Sequence, residues 1–535
     1  MSTNSSILMS NVLKKAVLYA GPRILGHSGF TQLAARLGRG ANLDLSVARD
    51  KQLALYSGAS LADSRRLLPG MFRVYYTGDD PNRIIPGKDV ASVASFVPYY
   101  RGFTSVVLFN FFKSNYGIRD PILYRYSIFN GREVVWCRQF VLAADRVINI
   151  PDPAATVNSL PEHGNLIIEA FHPRISVPTK ELRYFVIYRD LQQGSVAGSH
   201  SLGLGRAGLP RLTQPSFRGF GDRGSSYFHH SAIASHVPLA VRGNSDSGAL
   251  GKFFSYSSIV AHGYMTRESP SGCPTTIWHE GVTPHFIRTV DSERKVGASY
   301  TAFFIPDFKL HVPLVLVSSS QIGFLPKRIM IHLIAENAQP VACKEVGVEA
   351  DNATVDLMHV FRDQDIAGSV NVIIEFDRDV GEFPSLPEAY VHVYYRSPQG
   401  LGDQVHSLST FGYRDDPFRK YKSYRCRKFA PFLKDKQIEF VYSVINAAPG
   451  VRALHDDSIN IRIFTDSGSE FVLSRKLSPA GITNIRGTDL FAHLPVEIHS
   501  AAVVQLEHET TNFNASWFAI DKPGGHLGVD HFTGG

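Results

Sequence analysis

The sequence has few cysteines and few methionines for its length. Among 535 residues there are only 4 cysteines and 6 methionines. The cysteines are far apart and form no Cys-x-x-Cys pair; they are Cys137, Cys273, Cys343 and Cys426. This spacing argues against a structural zinc knuckle and against a scaffold held by disulfides, which a chain of this size does not need in order to fold.

Long apolar runs are also missing. No segment approaches the roughly 18 uninterrupted apolar residues that a transmembrane helix requires. Lys14 and Lys15 interrupt the apolar stretch near the N-terminus, and no small-residue cleavage site follows it. We therefore expect a soluble protein with no transmembrane segment, located in the cytoplasm or exported by a non-classical route. The net charge of +7 is small for the length, so nucleic acid is not an expected partner.

Aromatic and other apolar residues are abundant instead. The chain has 35 Phe and 22 Tyr, and 44% of its residues are hydrophobic. They occur in short runs that alternate apolar and polar residues, separated by Gly, Pro, Asn and Asp. This pattern is typical of antiparallel strands, and the length exceeds what one hydrophobic core supports. The composition therefore predicts a mainly β protein of several domains.

A threefold internal repeat is the strongest signal in the sequence. Each copy opens with an aromatic-x-Pro step and continues with an apolar strand and a hairpin whose turn contains Asn or Gly. A strand ending near a glutamate follows, and then a histidine closes the copy. The opening steps are residues 96–98, 304–306 and 429–431; the acids are Glu169, Glu375 and Glu507; the histidines are His200, His406 and His531.

The repeat predicts three tandem antiparallel β-sandwich modules, immunoglobulin-like or jelly-roll-like, with further segments around them. A partly helical N-terminal region precedes the first module, a long Gly-, Arg- and His-rich insertion separates the first two, and a basic linker separates the last two. The predicted boundaries are 1–90 for the N-terminal region, 91–203 for module 1, 204–295 for the insertion, 296–412 for module 2, 413–428 for the linker and 429–535 for module 3. The beginning of the insertion is expected to be a long loop.

The insertion also concentrates histidines and acids, which are suitable ligands for zinc or iron. Its candidate metal ligands are His262, His279, Glu280 and His285. They do not form a metalloprotease helix, because the second histidine follows the first by six positions rather than four and a proline intervenes. No cofactor is expected unless this cluster binds zinc or iron; the alternative is that these are loop histidines bonded to the backbone.

Two further sets of residues are candidates for ligand binding. The repeated pairs Glu169/His200, Glu375/His406 and Glu507/His531 could form three equivalent polar sites on neighbouring strand ends, or they could simply tie the last strand to its sheet. Exposed aromatic rings could stack on a glycan. The aromatic candidates are Tyr264, Trp278, Tyr227 and Trp517.

Three functions remain open from the sequence. The preferred hypothesis is a non-catalytic structural or binding protein that forms a homo-oligomeric assembly or recognises a surface glycan. The first alternative is a metal-assisted enzyme acting on a polysaccharide or cell-envelope substrate, with its site in the insertion. The second alternative is a virion or shell subunit, because sandwich modules and a basic N-terminus suit an assembly around nucleic acid. Catalytic residues cannot be assigned from the sequence.

Overall fold

The computed structural model describes most of the repeat and parts of the insertion. The predicted N-terminal helices and most of the basic linker lie outside the described residues. The described residues are 92–116, 119, 121–130, 133–171, 182–203, 216–218, 226–230, 235–238, 253–255, 263–280, 299–311, 313–318, 328–347, 353–376, 390–396, 402–408, 411–412, 426–445, 458–478, 481–492, 494, 498–508 and 514–534.

The described residues are mainly β and form several antiparallel sheets. Twenty-seven of the described strands fall into three sets of nine, which we call units 1, 2 and 3. Unit 1 contains β1 Ser92–Tyr100, β2 Thr104–Phe109, β3 Ile122–Asn130, β4 Glu133–Leu142, β5 Val147–Ile150, β6 His163–Phe171, β7 Tyr184–Asp190, β8 Ser195–His200 and β9 Leu202–Gly203, with helix α1 Phe112–Tyr116.

Units 2 and 3 repeat this series, and six strands lie between units 1 and 2. The intervening strands are β10 Ser216–Arg218, β11 Ser226–His230, β12 Ser235–Pro238, β13 Phe253–Ser255, β14 Gly263–Glu268 and β15 Pro274–Glu280. Unit 2 contains β16 Ser299–Ile305, β17 Pro313–Ser318, β18 Arg328–Ala335, β19 Pro340–Gly347, β20 Ala353–Asp356, α2 Leu357–Val360, β21 Val370–Phe376, β22 Tyr390–Tyr395, β23 Gln404–Leu408 and β24 Phe411–Gly412. Unit 3 contains β25 Cys426–Leu433, β26 Ile438–Ile445, β27 Ser458–Thr465, β28 Glu470–Lys476, β29 Ile482–Arg486, α3 Gly487–Ala492, β30 Ala501–His508, β31 Asn514–Asp521, β32 Leu527–His531 and β33 Thr533–Gly534.

The strand order is the same in all three units. Each has one five-stranded and one four-stranded sheet. The five-stranded orders are β4-β3-β6-β1-β9, β19-β18-β21-β16-β24 and β28-β27-β30-β25-β33, and the four-stranded orders are β5-β2-β7-β8, β20-β17-β22-β23 and β29-β26-β31-β32. Strands of the insertion add a four-stranded sheet, β12-β11-β14-β15, which we call the insertion sheet, and the pair β10-β13.

The repeated proline lies where the sheet can accept it. In unit 1, β9 pairs with β1 at Ser95 and Phe96, and within the described part of the chain no strand pairs with β1 on that side at Pro98. In unit 3, β33 likewise pairs with β25 only at Lys428 and Phe429, before Pro431. Proline has no backbone N–H to donate, and a position without a partner strand needs none. In units 1 and 3 the aromatic-x-Pro step thus marks the end of pairing with the short last strand, whereas in unit 2 that pairing is at Ser299 and Tyr300.

Buried tyrosines join the two sheets within each unit. The Tyr188 hydroxyl donates to the Pro98 carbonyl at 2.6 Å, and Tyr395 does the same to Phe304 at 2.8 Å. In unit 3, Tyr442 donates to the Pro431 carbonyl at 3.0 Å. Each bond runs from the four-stranded sheet to the first strand of the five-stranded sheet, so a buried hydroxyl links the two sheets of each unit. Burial without a partner would cost each hydroxyl about 1–3 kcal/mol.

Equivalent elements form the contact of unit 1 with unit 3 and that of unit 3 with unit 2. Strands β2 and β5 of unit 1 lie against β25 and β30 of unit 3, and β26 and β29 of unit 3 lie against β16 of unit 2. At the first contact, the Phe109 ring lies 4.6 Å from Phe464 and 5.6 Å from Phe429. At the second, Ile445 and Ile482 pack in one cluster with residues of β16 and β21. The units therefore associate head to tail.

The insertion sheet packs against both unit 1 and unit 2. Strand β12 lies against β6, and β15 lies against both β8 and β23. The Tyr100 hydroxyl bonds to Thr266 of β14. The Thr276 hydroxyl donates to the Gly402 carbonyl of unit 2 at 2.9 Å. The insertion thus connects the two units that it separates in the sequence.

Two segments that were expected to be a loop and a linker contain strands. The beginning of the insertion, expected to be a loop, contains β10, which pairs with β13 in register Phe217↔Phe254. Strand β25 begins at Cys426, inside the segment expected to be a linker. Arg218 ends β10, and Arg427 and Lys428 lie at the start of β25, so in the sequence both strands resemble charged loops.

No helix among the described residues is long and apolar enough to cross a membrane.

The contact between units 1 and 3 leads to a prediction at Gly198 of β8. An added Cβ there would lie 2.3 Å from the Trp517 ring, which is fully buried in unit 3. We expect Gly198→Ala to lower the free energy of unfolding by about 1–3 kcal/mol through overpacking. Gly347→Ala is the control, because a Cβ there meets nothing within 4 Å. Denaturant unfolding of both variants tests this, and equal stabilities would contradict the tight contact.

Candidate functional site

Four strands meet at the centre of the molecule, and we call them the inner strands. They are β8, β23 and β32, each the last strand of a four-stranded sheet, together with β15 of the insertion sheet. β8 lies against β32, β32 against β23, and β15 against β8 and β23. Sheet edges expose unpaired backbone groups, so a meeting of four such strands needs polar partners to satisfy them.

Asp403 supplies that partner at the start of β23. Its carboxylate is completely buried. The Oδ2 atom accepts hydrogen bonds from the backbone N–H of Gly198 at 2.8 Å and of Val529 at 3.1 Å. The Oδ1 atom accepts one from the Ile277 N–H at 3.0 Å. One side chain of unit 2 therefore binds unit 1, unit 3 and the insertion sheet at the same point.

Beside this junction, His200, Asp530 and His531 form a compact polar cluster. The Asp530 Oδ2 atom accepts from the His200 backbone N–H at 2.8 Å and lies 2.7 Å from His200 Nδ1. The Oδ1 atom accepts from the His531 backbone N–H at 2.7 Å. The two imidazole ring centroids are 4.6 Å apart. Asp530 thus bridges two histidines that the chain contributes from unit 1 and unit 3.

The environment keeps the His531 ring neutral. Burial lowers the pKa of His531 to about 4, and the neighbouring His200 and Arg183 act in the same direction, against the opposing effects of Asp530 and the Phe532 carbonyl. His531 Nδ1 lies 2.8 Å from the Phe532 carbonyl oxygen, which can only accept, so this nitrogen carries the proton. The Nε2 atom of the neutral ring then has the lone pair.

The cluster brings together two of the six residues expected to form acid–histidine pairs, but not as those pairs. Glu169 lies on β6 and His200 on β8, in different sheets, which corrects the expectation of neighbouring strands. The same separation holds for Glu507 on β30 and His531 on β32. His406 lies on β23, and its side chain is outside the described ones.

The three acids instead contact arginine or histidine side chains within their own five-stranded sheets. Glu169 is buried and lies 3.6 Å from Arg125 Nε. Glu375 lies 3.3 Å from His332 Nε2, and Glu507 lies 3.2 Å from Arg462 Nε. A buried carboxylate such as Glu169 needs such a partner, so these contacts agree with the alternative that the repeated acid serves the sheet; ligand binding by the acids stays a prediction.

The aromatic candidates are only partly described. Tyr264 and Trp517 are completely buried, which corrects their interpretation as exposed glycan contacts. The Tyr264 hydroxyl lies 2.6 Å from the His200 carbonyl oxygen, so it supports the histidine cluster from the insertion sheet. Trp278 and Tyr227 lie on β15 and β11, and their side chains are outside the described ones.

Two of the four candidate metal ligands of the insertion lie on a described strand, and the other two do not. His279 and Glu280 lie on β15, where their backbones pair with Tyr264 and Gly263 of β14. His262 and His285 lie outside the described residues. The prediction of a metal site in the insertion therefore remains a prediction.

Sequence reasoning missed Asp403 and Asp530, the two carboxylates at the centre. Asp530 lies within β32, and Asp403 comes directly before β23. Aspartate is depleted in strands, so an Asp inside or beside a buried apolar strand indicates that its carboxylate has a specific partner. That signal was present beside the closing histidines of units 2 and 3.

The geometry at Asp403 leads to a second prediction. Asp403→Asn keeps the shape but replaces one acceptor oxygen with an NH₂ group that faces a backbone donor. We expect the free energy of unfolding to fall by about 2–3 kcal/mol, because buried N–H groups lose their acceptor. Asp365→Asn is the control, because the Asp365 side chain is 90% exposed. Thermal and urea unfolding measure both, and an unchanged Asp403→Asn variant would contradict the role of the carboxylate.

Comparisons with known proteins give little further guidance. No protein-family model matches the chain, and no curated protein matches it. One similar solved structure is described as the crystal structure of a tetra-tandem repeat in the extending region of a large adhesion protein. It is 9% identical, and the match covers 78% of this chain and 91% of that chain with a TM-score of 0.11. A TM-score this low supports no conclusion about the fold or function of this chain.

Proposed function

We propose that this chain is a non-catalytic structural subunit of a multi-copy assembly, in which units 1, 2 and 3 act as three β-sandwich modules. The observation that carries the proposal is the repeated head-to-tail contact, from unit 1 to unit 3 and from unit 3 to unit 2. With the inner strands joined at Asp403, these contacts make the chain a compact block rather than a rod. A compact chain of this kind can serve as the repeating subunit of a larger assembly.

The outer surfaces of the block support self-assembly. The strands β4, β19 and β28, which we call the outer edge strands, are the terminal strands of the three five-stranded sheets on the side away from the inner strands. Each carries an exposed valine: Val141 is 65% exposed, Val341 39% and Val472 56%. The valines lie at different points along these strands, since Val141 pairs with Leu123 at the open end of its hairpin whereas Val341 lies beside a turn. The shared feature is an exposed apolar side chain on an edge strand, which contacts between copies can bury.

Charged residues on the outer edge strands indicate how copies would meet. Lys344 and Glu345 lie on β19, and Arg475 and Lys476 lie on β28. Charges on an edge strand oppose continuous strand-to-strand pairing, which would lead to fibres. Contacts between side chains of neighbouring blocks, with valines at the centre and charges at the rim, are therefore favoured over extension of the sheets.

A shell around a polyanion is the form of assembly that the charge distribution favours. Residues 1–90 contain 12 of the 55 Lys and Arg residues but only 6 of the 48 Asp and Glu residues. Most of the net charge of +7 therefore belongs to a segment that precedes the block. A basic segment attached to a nearly neutral block can neutralise phosphates on one side of a shell. The low net charge of the whole chain hides this asymmetry, because it combines the basic segment 1–90 with the nearly neutral remainder.

The other two functions have less support. An enzyme in the insertion would depend on His262 and His285, which lie outside the described residues. Glycan recognition by Tyr264 or Trp517 would require rings that are buried here. The inner strands are occupied by contacts within the chain, and the Asp403 side chain at their junction is completely buried.

Light scattering coupled to size-exclusion chromatography, followed by electron microscopy, tests the proposal. We expect the full-length protein to form particles of uniform diameter. Replacing the three exposed valines by aspartate, as Val141→Asp, Val341→Asp and Val472→Asp together, should reduce the particle fraction at least about tenfold without lowering the unfolding temperature, since exposed positions contribute little to stability.

The control is Leu191→Asp, an equally exposed apolar residue in the turn after β7, away from the outer edge strands. It should assemble like the unaltered protein. A monomer at all concentrations would contradict the assembly, and particles formed equally well by the triple variant would exclude the outer edge strands as the contact.

A further inference from the structure

We propose that His200, Asp530 and His531 form a zinc-binding site that clamps unit 1 to unit 3. The three residues offer two imidazole nitrogens and one carboxylate oxygen. Those three ligand atoms all lie within 4.8 Å of one another. His200 ends β8 and His531 ends β32, so the site would join residues that are 331 positions apart in the sequence.

The donor set matches the preferences of zinc. Imidazole nitrogen and carboxylate oxygen are common Zn²⁺ ligands, and three protein ligands with a fourth position for water form a familiar tetrahedral arrangement. Ligands about 2.0–2.2 Å from the metal lie roughly 3.3–3.5 Å apart. Atoms already within 4.8 Å need only small side-chain movements to reach that geometry.

Surrounding hydrogen bonds hold the ligands in place. The Phe532 carbonyl lies 2.8 Å from His531 Nδ1 and fixes the tautomer in which Nε2 carries the lone pair. The backbone N–H groups of both histidines donate to the Asp530 carboxylate and orient it. Tyr264 of the insertion sheet lies 2.6 Å from the His200 carbonyl oxygen. Such outer contacts are typical of histidines that bind metals, and they reduce the cost of ordering the ligands.

A bound metal would act on the block as a whole. Zinc at this point would connect the last strand of unit 1 to the last strand of unit 3, beside the Asp403 junction. Because the ligands come from separate units, the metal binds only the closed arrangement and therefore stabilises it. The site would make closure of the block depend on zinc, which the proposed structural function does not require by itself.

Zinc titration of the full-length protein tests the site. The protein is stripped with EDTA, incubated with ZnCl₂, and analysed for metal content after gel filtration. The variants are His531→Asn and His200→Asn, since an asparagine amide can keep the donor that Nδ1 provides but has no counterpart of Nε2. We expect each variant to lose the zinc that the unaltered protein retains, with binding in calorimetry weakened at least about 100-fold, since losing a direct ligand costs no less than losing an outer partner.

The matched control is His526→Asn, which alters another buried histidine of unit 3 outside the cluster. The His526→Asn variant should bind zinc like the unaltered protein. Zinc should raise the unfolding temperature of His526→Asn and of the unaltered protein, but not that of His531→Asn. Equal zinc content in His531→Asn and the unaltered protein would overturn the proposal, and so would the absence of retained zinc in the unaltered protein.

Cobalt substitution keeps the test decisive if the variants fold poorly. Co²⁺ in a tetrahedral site with nitrogen and oxygen ligands gives visible absorption bands that octahedral, water-bound Co²⁺ lacks in intensity. We expect these bands at one equivalent of Co²⁺ in the unaltered protein. If they are absent, the cluster does not bind metal in the proposed geometry, whatever the variants do.

Discussion

The closed arrangement of this molecule depends on one buried carboxylate. Asp403 accepts three backbone hydrogen bonds, from Gly198, Val529 and Ile277. Hydrogen bonds to a charged acceptor are worth about 1.5–3 kcal/mol each, and a buried donor that loses its acceptor is costly. Because the three donors belong to unit 1, unit 3 and the insertion sheet, no part can move away from the centre without leaving the carboxylate or an N–H group unsatisfied. A purely apolar centre would hold the same parts with less directional control.

Head-to-tail packing explains why such a centre exists. Contacts of this kind form a ring if the rotation between successive units closes, and an open helix if it does not. Unit 1 contacts unit 3, and unit 3 contacts unit 2, through equivalent strands. The third contact of a complete ring would place β17 and β20 on β1 and β6. Instead, β12 of the insertion sheet lies against β6, and β15 lies between β8 and β23. The insertion, which only the first junction of the repeat contains, thus takes part in closing the block.

The sequence predicted the strands and the repeat because both are local patterns. Alternation of apolar and polar residues marks strands such as β27, and the aromatic-x-Pro step marks where β1 loses its neighbour. The partner of each repeated acid was not predictable, since it depends on which strands become neighbours in the sheet. Glu169 finds Arg125 because β3 pairs with β6 in the register Arg125↔Glu169. The central junction was still less accessible, because Asp403 and Gly198 are 205 residues apart and only the packing of whole units brings them together.

Differences among the three repeats, rather than their similarities, locate the specialised part of the molecule. Positions common to all units, such as the paired acids, serve each unit separately. The closing strands differ: unit 3 places Asp530 before His531, unit 1 ends β8 in Ser199 and His200, and unit 2 has Asp403 before β23. These closing strands therefore contribute differently, since β32 gives a bridging carboxylate with an imidazole, β8 gives a second imidazole, and Asp403 before β23 gives the central acceptor. A single chain can make its three units different in this way, whereas three identical subunits around an axis would have to present the same side chains three times. Fusion of the units thus allows an asymmetric polar centre inside a nearly symmetric block.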